Sequence, residues 1–135
     1  MTRVALPEAL RAQILQEARK AFPGECCGLV EGLRLEGGDE FRITALHPAR
    51  NLAAAPDRFE LAPEDHFRAL KAARANNRDL IGCYHSHPNG RAEPSATDRA
   101  GAGEENFLWL IATGEGLEAF VYLGGEFRAA AWAAA

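Results

Sequence analysis

Residues 79–98, DLIGCYHSHPNGRAEPSATD, hold a short apolar run, two histidines and a helix-start signal within one stretch. The first nine residues predict a strand, and Pro88 ends it because proline cannot donate a ladder hydrogen bond. Side chains alternate along a strand, so His85 and His87 are expected on one face, at the exposed strand end. Two imidazoles placed in this way suit the binding of one ion.

The second half of this stretch offers a third ligand. Its SATD segment predicts a helix that Ser95 caps, with Asp98 at the third helical position, near the positive end of the helix dipole. Two neutral imidazoles and one carboxylate, with a fourth position left to water, are the composition of a catalytic zinc site. The competing interpretation is structural: Ser95 and Asp98 form a capping pair, and the histidines belong to an ordinary surface.

A metal-dependent hydrolase also needs a base, and Glu25 in FPGECCGLVEG is the candidate. This residue stands between a predicted helix end and a predicted strand, where an acid could equally face solvent. Its functional role requires that the first predicted strand run beside the strand that carries the histidines. The two other histidines, His47 and His66, lie outside the pattern and are expected to be packing or solvent histidines.

Hydrophobic spacing and turn residues predict the remaining elements. One helix is expected over residues 7–22 and another from Pro63 to about Asn76. Strands are expected at CCGLVEGLRLEG and EFRITALHP, joined by a turn at Gly37-Gly38-Asp39, and later at FLWLIAT and LEAFVYLGG. The loop after the hairpin contains an extended piece at Phe59–Leu61, and EFRAAAWAAA is a last strand or a tail. This order predicts a mixed α/β domain with a largely antiparallel sheet.

The composition is that of an ordinary globular chain, with 135 residues of which 47% are hydrophobic and 25% charged. A single domain over residues 1–135 is expected from this length. The net charge of −4 and the lack of a lysine/arginine run argue against a nucleic-acid partner. We expect a cytoplasmic protein without membrane contact, since no apolar run is long enough for a bilayer and the N terminus is unlike a signal peptide. The three cysteines, Cys26, Cys27 and Cys83, fit buried thiols in a reducing compartment.

Together these residues resemble the JAMM/MPN+ zinc metalloprotease family, small prokaryotic type. The match consists of HSHP at residues 85–88, six residues, Ser95, two residues and Asp98, with Glu25 upstream in PGECCGL. The order of first helix, glutamate, hairpin, RFEL piece, helix and metal strand also resembles the family over nearly the whole chain. No motif residue is missing, and only the segment from about Glu126 is uninformative.

The resemblance implies a zinc-dependent isopeptidase or peptidase, with its residue roles carried over one by one. His85, His87 and Asp98 would bind one zinc ion, which activates a water and polarises the scissile carbonyl. Glu25 would take a proton from that water and deliver it to the leaving amine. Ser95 would donate a hydrogen bond to the oxyanion, a role that competes with N-capping.

The resemblance also implies a fold and indirect roles for some neighbours. The expected fold is a mixed α+β domain with a central, mostly antiparallel, curved sheet flanked by helices, JAMM/MPN-like, with cytidine-deaminase-like layering. Ser86 points to the opposite strand face and has at most an indirect role. The roles of Cys26, Cys27 and Cys83 stay open.

The compact length is similar to that of small prokaryotic members, which cleave after the Gly-Gly tail of ubiquitin-like or sulfur-carrier proteins. An extended glycine tail could add to a sheet edge through main-chain bonds, with the loop Asn51–Phe59 and the segment Asn89–Glu93 as the groove. Two alternatives are a non-catalytic MPN-type scaffold and a DNA-repair-associated relative. The leaving group, whether cysteine, peptide or lysine conjugate, stays open, and the apolar strands would allow a homodimer without requiring one.

Overall fold

The structure, a computed structural model, describes residues 1–35, 37, 39–53 and 55–134. Its helices and strands are, in chain order, β1 Arg3–Ala5, α1 Glu8–Ala21, β2 Cys27–Arg34, β3 Glu40–Ala49, α2 Pro63–Ala75, β4 Asp79–Ser86, α3 Ala96–Gly101, β5 Phe107–Thr113, β6 Gly116–Leu123 and β7 Glu126–Ala133. Each helix and strand expected from the sequence is present, with small shifts at its ends. Within the segment EFRAAAWAAA, residues Glu126–Ala133 form a strand rather than a tail, Ala135 lies outside the described residues, and β1 has no counterpart in the sequence predictions.

The strands close into a barrel in the order β1-β3-β2-β4-β5-β6-β7. β1 makes this closure, because it pairs in parallel with β3 on one side and with β7 on the other. The expected curved sheet is therefore closed into a barrel, which the prediction did not include, whereas the mixed α/β class and the mostly antiparallel pairing are confirmed. Three residues are too few to show a period of hydrophobicity, so the sequence carried no signal for the closing strand.

The two longer helices pack against the barrel through the faces that carry their small and apolar residues. In α1, Ile14 is fully buried in the main core. In α2, Ala69 and Ala73 are buried, and alanine lets the helix lie close to the sheet, while Phe67 lies on the outer face with 63% exposure. Among the described residues, no helix combines the length and the apolar character that a membrane crossing requires.

β2 and β3 form the predicted hairpin, with a register shift between Glu31 and Gly32. In the predicted turn, Gly37 has a φ of 95°, in the left-handed region that glycine adopts without steric cost, whereas Gly38 lies outside the described residues. The buried Glu31 carboxylate lies 2.8 Å from His47 Nε2. His47 is therefore a packing histidine, as predicted.

The pairing of β2 with β4 is the feature of the fold that positions the site. The antiparallel register sets Cys27 beside His85 and Gly28 beside Tyr84. Position 28 requires glycine, because a Cβ there would lie 2.4 Å from the Tyr84 ring. The strand that follows Glu25 therefore runs beside the strand that carries the histidines, which is the condition that a functional role for this acid requires.

Candidate active site

The two histidines at the end of β4 meet in a buried position. Nε2 of His85 lies 2.9 Å from Nε2 of His87, and the two residues are 0% and 5% exposed. His87 directly follows β4, and its amide is still held against β5, since it donates to the Ala112 carbonyl at 2.8 Å. Strand alternation thus brings both imidazoles to one place, although that place is buried and not the exposed end expected from the sequence.

The carboxylate of Asp98 reaches the same place from α3. Its Oδ2 atom lies 3.2 Å from His85 Nε2 and 3.0 Å from His87 Nε2. Oδ2 also accepts from Ser95 N at 2.9 Å, and Ser95 Oγ accepts from Asp98 N at 3.0 Å. This reciprocal capping box begins the helix and holds the carboxylate toward the histidines.

The capping box leaves the proton of the Ser95 hydroxyl free. A serine hydroxyl has one donor and two acceptor sites, and capping uses only an acceptor site. From the sequence, capping the helix and donating to an oxyanion are competing roles for Ser95. The geometry removes this conflict, because the same oxygen can cap the helix while its O–H points elsewhere.

The orientation of the His87 ring fits a metal ligand. Its Nδ1 atom lies 2.8 Å from the Arg91 carbonyl, an acceptor to which only an N–H can bond. The lone pair of the neutral ring is therefore at Nε2, which faces His85 and Asp98. Ligand atoms bound to zinc at about 2.0–2.1 Å in a tetrahedral site lie about 3.3 Å apart, close to the separations found here.

The charges in the cluster fit a cation as well. Burial lowers the pKa of His85, which favours the neutral ring that a metal ion binds. Burial alone would raise the pKa of Asp98, but hydrogen bonds with His85 and His87 outweigh it and lower that pKa. Burial alone would lower the pKa of His87, but hydrogen bonds with Asp98 and with the Arg91 carbonyl outweigh it and raise that pKa. The Nε2 atoms of both rings and the Asp98 carboxylate face one point, an arrangement that a shared cation stabilises.

Aromatic side chains hold the His85 ring in place. Phe59 stacks on it with ring centroids 4.4 Å apart, and Trp109 meets it edge-on with centroids 5.8 Å apart. His85 Nδ1 is buried and has no hydrogen-bond partner among the described residues, so packing orients this ring. From the sequence, Phe59 is expected only to belong to an extended piece, because an isolated aromatic residue in a loop gives no signal for such a contact.

Glu25 is a second acid in the same cluster. The ligand atoms of Glu25, His85 and His87 all lie within 4.8 Å of one another, and Glu25 is 5% exposed. Its Oε1 atom has no hydrogen-bond partner in the part of the chain that is described. Burial raises the pKa of Glu25 to about 7, while the charge of His87 acts in the opposite direction. A pKa near neutrality suits a group that takes up and then releases a proton.

A cavity of about 360 Å³ opens onto the cluster, with largely apolar walls formed by Phe22, Pro23, Pro56 and Pro88 beside Glu25, His87 and Ser95. Both segments expected to form a groove contribute to it, through Pro56, Asp57 and Asn89. Ala54, in the first of these segments, lies outside the described residues. The cavity brings the unpartnered acid, a histidine and a free hydroxyl donor to a single opening.

The three cysteines are free and buried. Burial raises the pKa of Cys26 to about 11 and that of Cys27 to about 12. Buried thiols with a raised pKa are poor nucleophiles and poor ligands at neutral pH, so small buried side chains are the interpretation that the structure favours. His66 lies in α2, as predicted.

Two histidines, a carboxylate and a nearby acid are the side-chain set of a metal-dependent hydrolase. The model of a family described as prokaryotic homologs of the JAB domain matches residues 7–124, which include every member of the cluster. The chain belongs to this family, the prokaryotic branch of the JAMM proteins.

Relatives with described activities are similar over most of the chain. The desampylase of Haloferax volcanii is 37% identical over 133 residues, which span 94% of this chain and 93% of that protein. The probable TtuB-protein conjugate cleaving protease of Thermus thermophilus is 33% identical over 121 residues, or 90% of this chain and 74% of that protein. The chain is accordingly a JAMM-type peptidase or isopeptidase, and the scaffold alternative loses its support.

Solved structures show the same fold. A protein of Desulfitobacterium hafniense matches with a TM-score of 0.82 at 27% identity, covering 98% of this chain and 94% of that one. A JAB1/MPN domain protein of Archaeoglobus fulgidus matches with a TM-score of 0.52 at 16% identity, covering 98% and 97% of the two chains. The second similarity supports the JAB/MPN fold alone.

Proposed function

We propose that the protein is a zinc-dependent peptidase that hydrolyses the amide or isopeptide bond after the C-terminal Gly-Gly of a ubiquitin-like or sulfur-carrier protein. The observation that carries the proposal is the buried cluster, in which Nε2 of His85, Nε2 of His87 and Oδ2 of Asp98 lie 2.9–3.2 Å apart. Relatives named as a desampylase and as a protease that cleaves protein conjugates support the substrate class.

In this proposal His85, His87 and Asp98 hold one zinc ion. Zinc, when bound, lowers the pKa of a coordinated water and polarises a scissile carbonyl. The donor set supports a catalytic rather than a structural ion, because it consists of nitrogen and carboxylate ligands without a thiolate. The rings are oriented before any ion binds, His85 by the Phe59 stack and His87 by the Arg91 carbonyl.

Glu25 is the proposed general base and general acid. Its carboxylate lies within 4.8 Å of the histidine nitrogens, whereas the Asp98 carboxylate touches both of them, so the two acids are suited to different tasks. The ionised carboxylate of Glu25 accepts a proton from the attacking water, and the neutral acid returns that proton to the leaving amine. The apolar wall beside it explains why its pKa lies near neutrality and not in the usual range of a carboxyl group.

Ser95 is the proposed hydrogen-bond donor to the oxyanion. Ser95 lines the cavity, and the capping bond fixes its hydroxyl oxygen without using its proton. A donor fixed before the reaction stabilises negative charge as it develops on the substrate oxygen without a cost of reorganisation.

The walls of the cavity support the proposal that the substrate ends in Gly-Gly. Phe22, Pro23, Pro56 and Pro88 form apolar walls of a cavity of about 360 Å³, and glycine is the residue that brings a main chain closest to such walls. In the part of the chain that the structure describes, every strand has a hydrogen-bonded neighbour on both sides, so the tail finds no fully free strand there for the expected addition to a sheet edge. Loops and strand ends are the remaining parts of the protein that could form main-chain hydrogen bonds with the tail.

The test is the cleavage of a defined conjugate. A ubiquitin-fold carrier ending in Gly-Gly is linked to a lysine of a second protein, incubated with the zinc-loaded protein and analysed by mass spectrometry. We expect release of the carrier with an intact Gly-Gly end. A carrier ending in Ala-Ala is the matched control, and it should be cleaved far more slowly.

Two results would contradict different parts of the proposal. Cleavage of unrelated peptides without cleavage of the Gly-Gly conjugate would overturn the substrate class. Stoichiometric zinc without hydrolysis of any amide would overturn the catalytic assignment of Glu25 and Ser95.

A further inference from the structure

We propose that Asn51 and Ser86 form a clamp on the peptide unit between Glu25 and Cys26, and that this clamp positions the Glu25 carboxylate for proton transfer. Asn51 Nδ2 donates to the Glu25 carbonyl at 3.0 Å. Cys26 N donates to Ser86 Oγ at 2.8 Å. The carbonyl and the amide belong to one planar peptide unit, so side chains from two different segments hold its two ends.

The clamp controls the direction of the Glu25 side chain. Because the peptide unit is planar, fixing its oxygen and its hydrogen fixes its plane and the place of the Glu25 Cα atom in that plane. The chain before Glu25 is held as well, since Gly24 N donates to the Ala21 carbonyl at 2.8 Å. Together these bonds restrict the ψ angle of Glu25 and the direction of its Cα–Cβ bond relative to β2 and β4. Glu25 lies outside β2, so strand pairing alone does not impose this restraint on it.

The hydrogen bonds of Asn51 suit this role, because each of the four that its side-chain amide can form has a partner. Its Nδ2 atom donates to the carbonyls of Glu25 and Arg58, and its Oδ1 atom accepts from Ala53 N and Glu60 N, both at 2.9 Å. The reverse orientation of the amide would oppose oxygen to oxygen, so the network fixes which end faces Glu25. One half-buried side chain thus ties the loop that lines the cavity to the main chain of the base.

Ser86 connects the base to the proposed metal ligands. It lies between His85 and His87 in the sequence, is 4% exposed, and points away from the imidazoles toward Cys26 N. The Cys26 carbonyl in turn accepts from Ser86 N at 3.2 Å. The segment that carries the histidines and the segment that carries the base are therefore joined by reciprocal bonds between Cys26 and Ser86.

This inference rests on the proposed function in one respect, since it takes Glu25 as the general base. Asn51 and Ser86 do not touch the reacting atoms, so they are positioning residues. Loss of a partner that orients a ligand or a catalytic group typically costs about 10–100-fold in activity. A purely structural role would instead lower stability or zinc content and leave the turnover of the folded, loaded enzyme unchanged.

The experiment compares the zinc-loaded full chain with three variants in the conjugate assay. Ser86→Ala removes the acceptor for Cys26 N, and Ser86→Thr restores a hydroxyl. Asn51→Asp removes both N–H donors but keeps oxygen for the loop amides, which separates the clamp from the anchoring of the loop. Thr44→Ala is the matched control, because Thr44 Oγ1, like Asn51 Nδ2, donates to a main-chain carbonyl, in this case that of Glu31 at 3.3 Å, away from the cluster.

We expect Ser86→Ala and Asn51→Asp to lower kcat about 10–100-fold with KM and zinc stoichiometry close to wild type. Ser86→Thr should recover most of the activity, and Thr44→Ala should keep it. In a Glu25→Gln background the clamp substitutions should lower the residual rate less than 2-fold further. The effects of substitutions that act through the same catalytic group are not additive. Unchanged kcat in both clamp variants, or losses that multiply with Glu25→Gln, would overturn the inference.

A second readout does not depend on activity. Amide hydrogen exchange at Cys26 should be slow in the wild type and at least 10-fold faster in Ser86→Ala, with the amides of β2 unchanged. If the wild type cleaves no conjugate but this pattern is found, the proposed function fails and the clamp stands. Rapid exchange of the Cys26 amide in the wild type would overturn the clamp whatever the activity.

Discussion

Replacing Asp98 with asparagine removes one negative charge from the cluster and changes the shape of the side chain little. An amide oxygen can still accept from Ser95 N, as Oδ2 does at 2.9 Å, so α3 should still begin at its capping box. The charged contacts with His85 and His87 are lost. We expect zinc binding to weaken about 100-fold or more, because even an outer partner of a ligand is worth about 10–100-fold in affinity.

The size of the effect can be worked out as a shift in Tm. Zinc at 100 times its Kd stabilises the folded state by about 2.7 kcal/mol. For 135 residues the unfolding entropy is about 0.28 kcal/mol/K, from about 2.1 cal/mol/K per residue, so the wild-type Tm should rise by about 10 °C. Binding that is 100-fold weaker leaves about 0.4 kcal/mol at the same zinc concentration, or about 1–2 °C.

Scanning calorimetry of the zinc-free and zinc-loaded proteins measures this shift. Asp79→Asn is the matched control, because Asp79 is an exposed acid of the same strand as the histidines, and it should keep the full rise of about 10 °C. Asp98→Asn with the wild-type rise in Tm would refute the assignment of Asp98 as a ligand. A wild type whose Tm does not respond to zinc would refute the site as a whole.

Three further outcomes follow from the geometry. Ser95→Ala should lower kcat about 10²–10³-fold and the unfolding free energy by about 1 kcal/mol. Steady-state kinetics measures the first effect and a urea titration the second, and an unchanged kcat would contradict the role of Ser95 as the oxyanion donor. Gly28→Ala should destabilise the fold by about 1–3 kcal/mol, since its Cβ would lie 2.4 Å from Tyr84; an unchanged urea midpoint would contradict the packing. Burial raises the pKa of all three free thiols, so at pH 8 a thiol reagent should label them slowly until the protein unfolds, and rapid labelling of the native protein would contradict this.

The helices and most of the strands could be predicted from the sequence, whereas the closure of the sheet into a barrel could not. Residues 7–22 and the segment from Pro63 show helical spacing over several turns, and both helices are found close to the expected ends. β1 consists of Arg3–Ala5 and depends on parallel partners that are far away in the chain. A strand of this length is stabilised by its neighbours and not by its own pattern, so hydrophobic periodicity could not reveal the barrel.

The prediction of the candidate site depended on how far each contact reaches along the chain. Spacing within residues 79–98 was enough to bring His85, His87 and Asp98 together, because strand alternation and a helix cap are local rules. The approach of Glu25 depends on the β2–β4 register, which spacing does not contain. The contacts of Asn51 with Glu25 and of Phe59 with His85 depend on the path of an irregular loop, for which no period exists.

The substitution Glu25→Gln is the most direct test of proton transfer by Glu25 beside a metal held by other residues, because it keeps the shape of the side chain and removes its ability to accept a proton. We expect one zinc ion per chain, as in the wild type, and a rate of conjugate hydrolysis that is lower by about 10²–10⁴-fold. Near-wild-type hydrolysis by the zinc-loaded variant would contradict the role of Glu25 as the base. Loss of zinc from the variant would instead contradict the assignment of His85, His87 and Asp98 as the ligands that suffice to hold the ion.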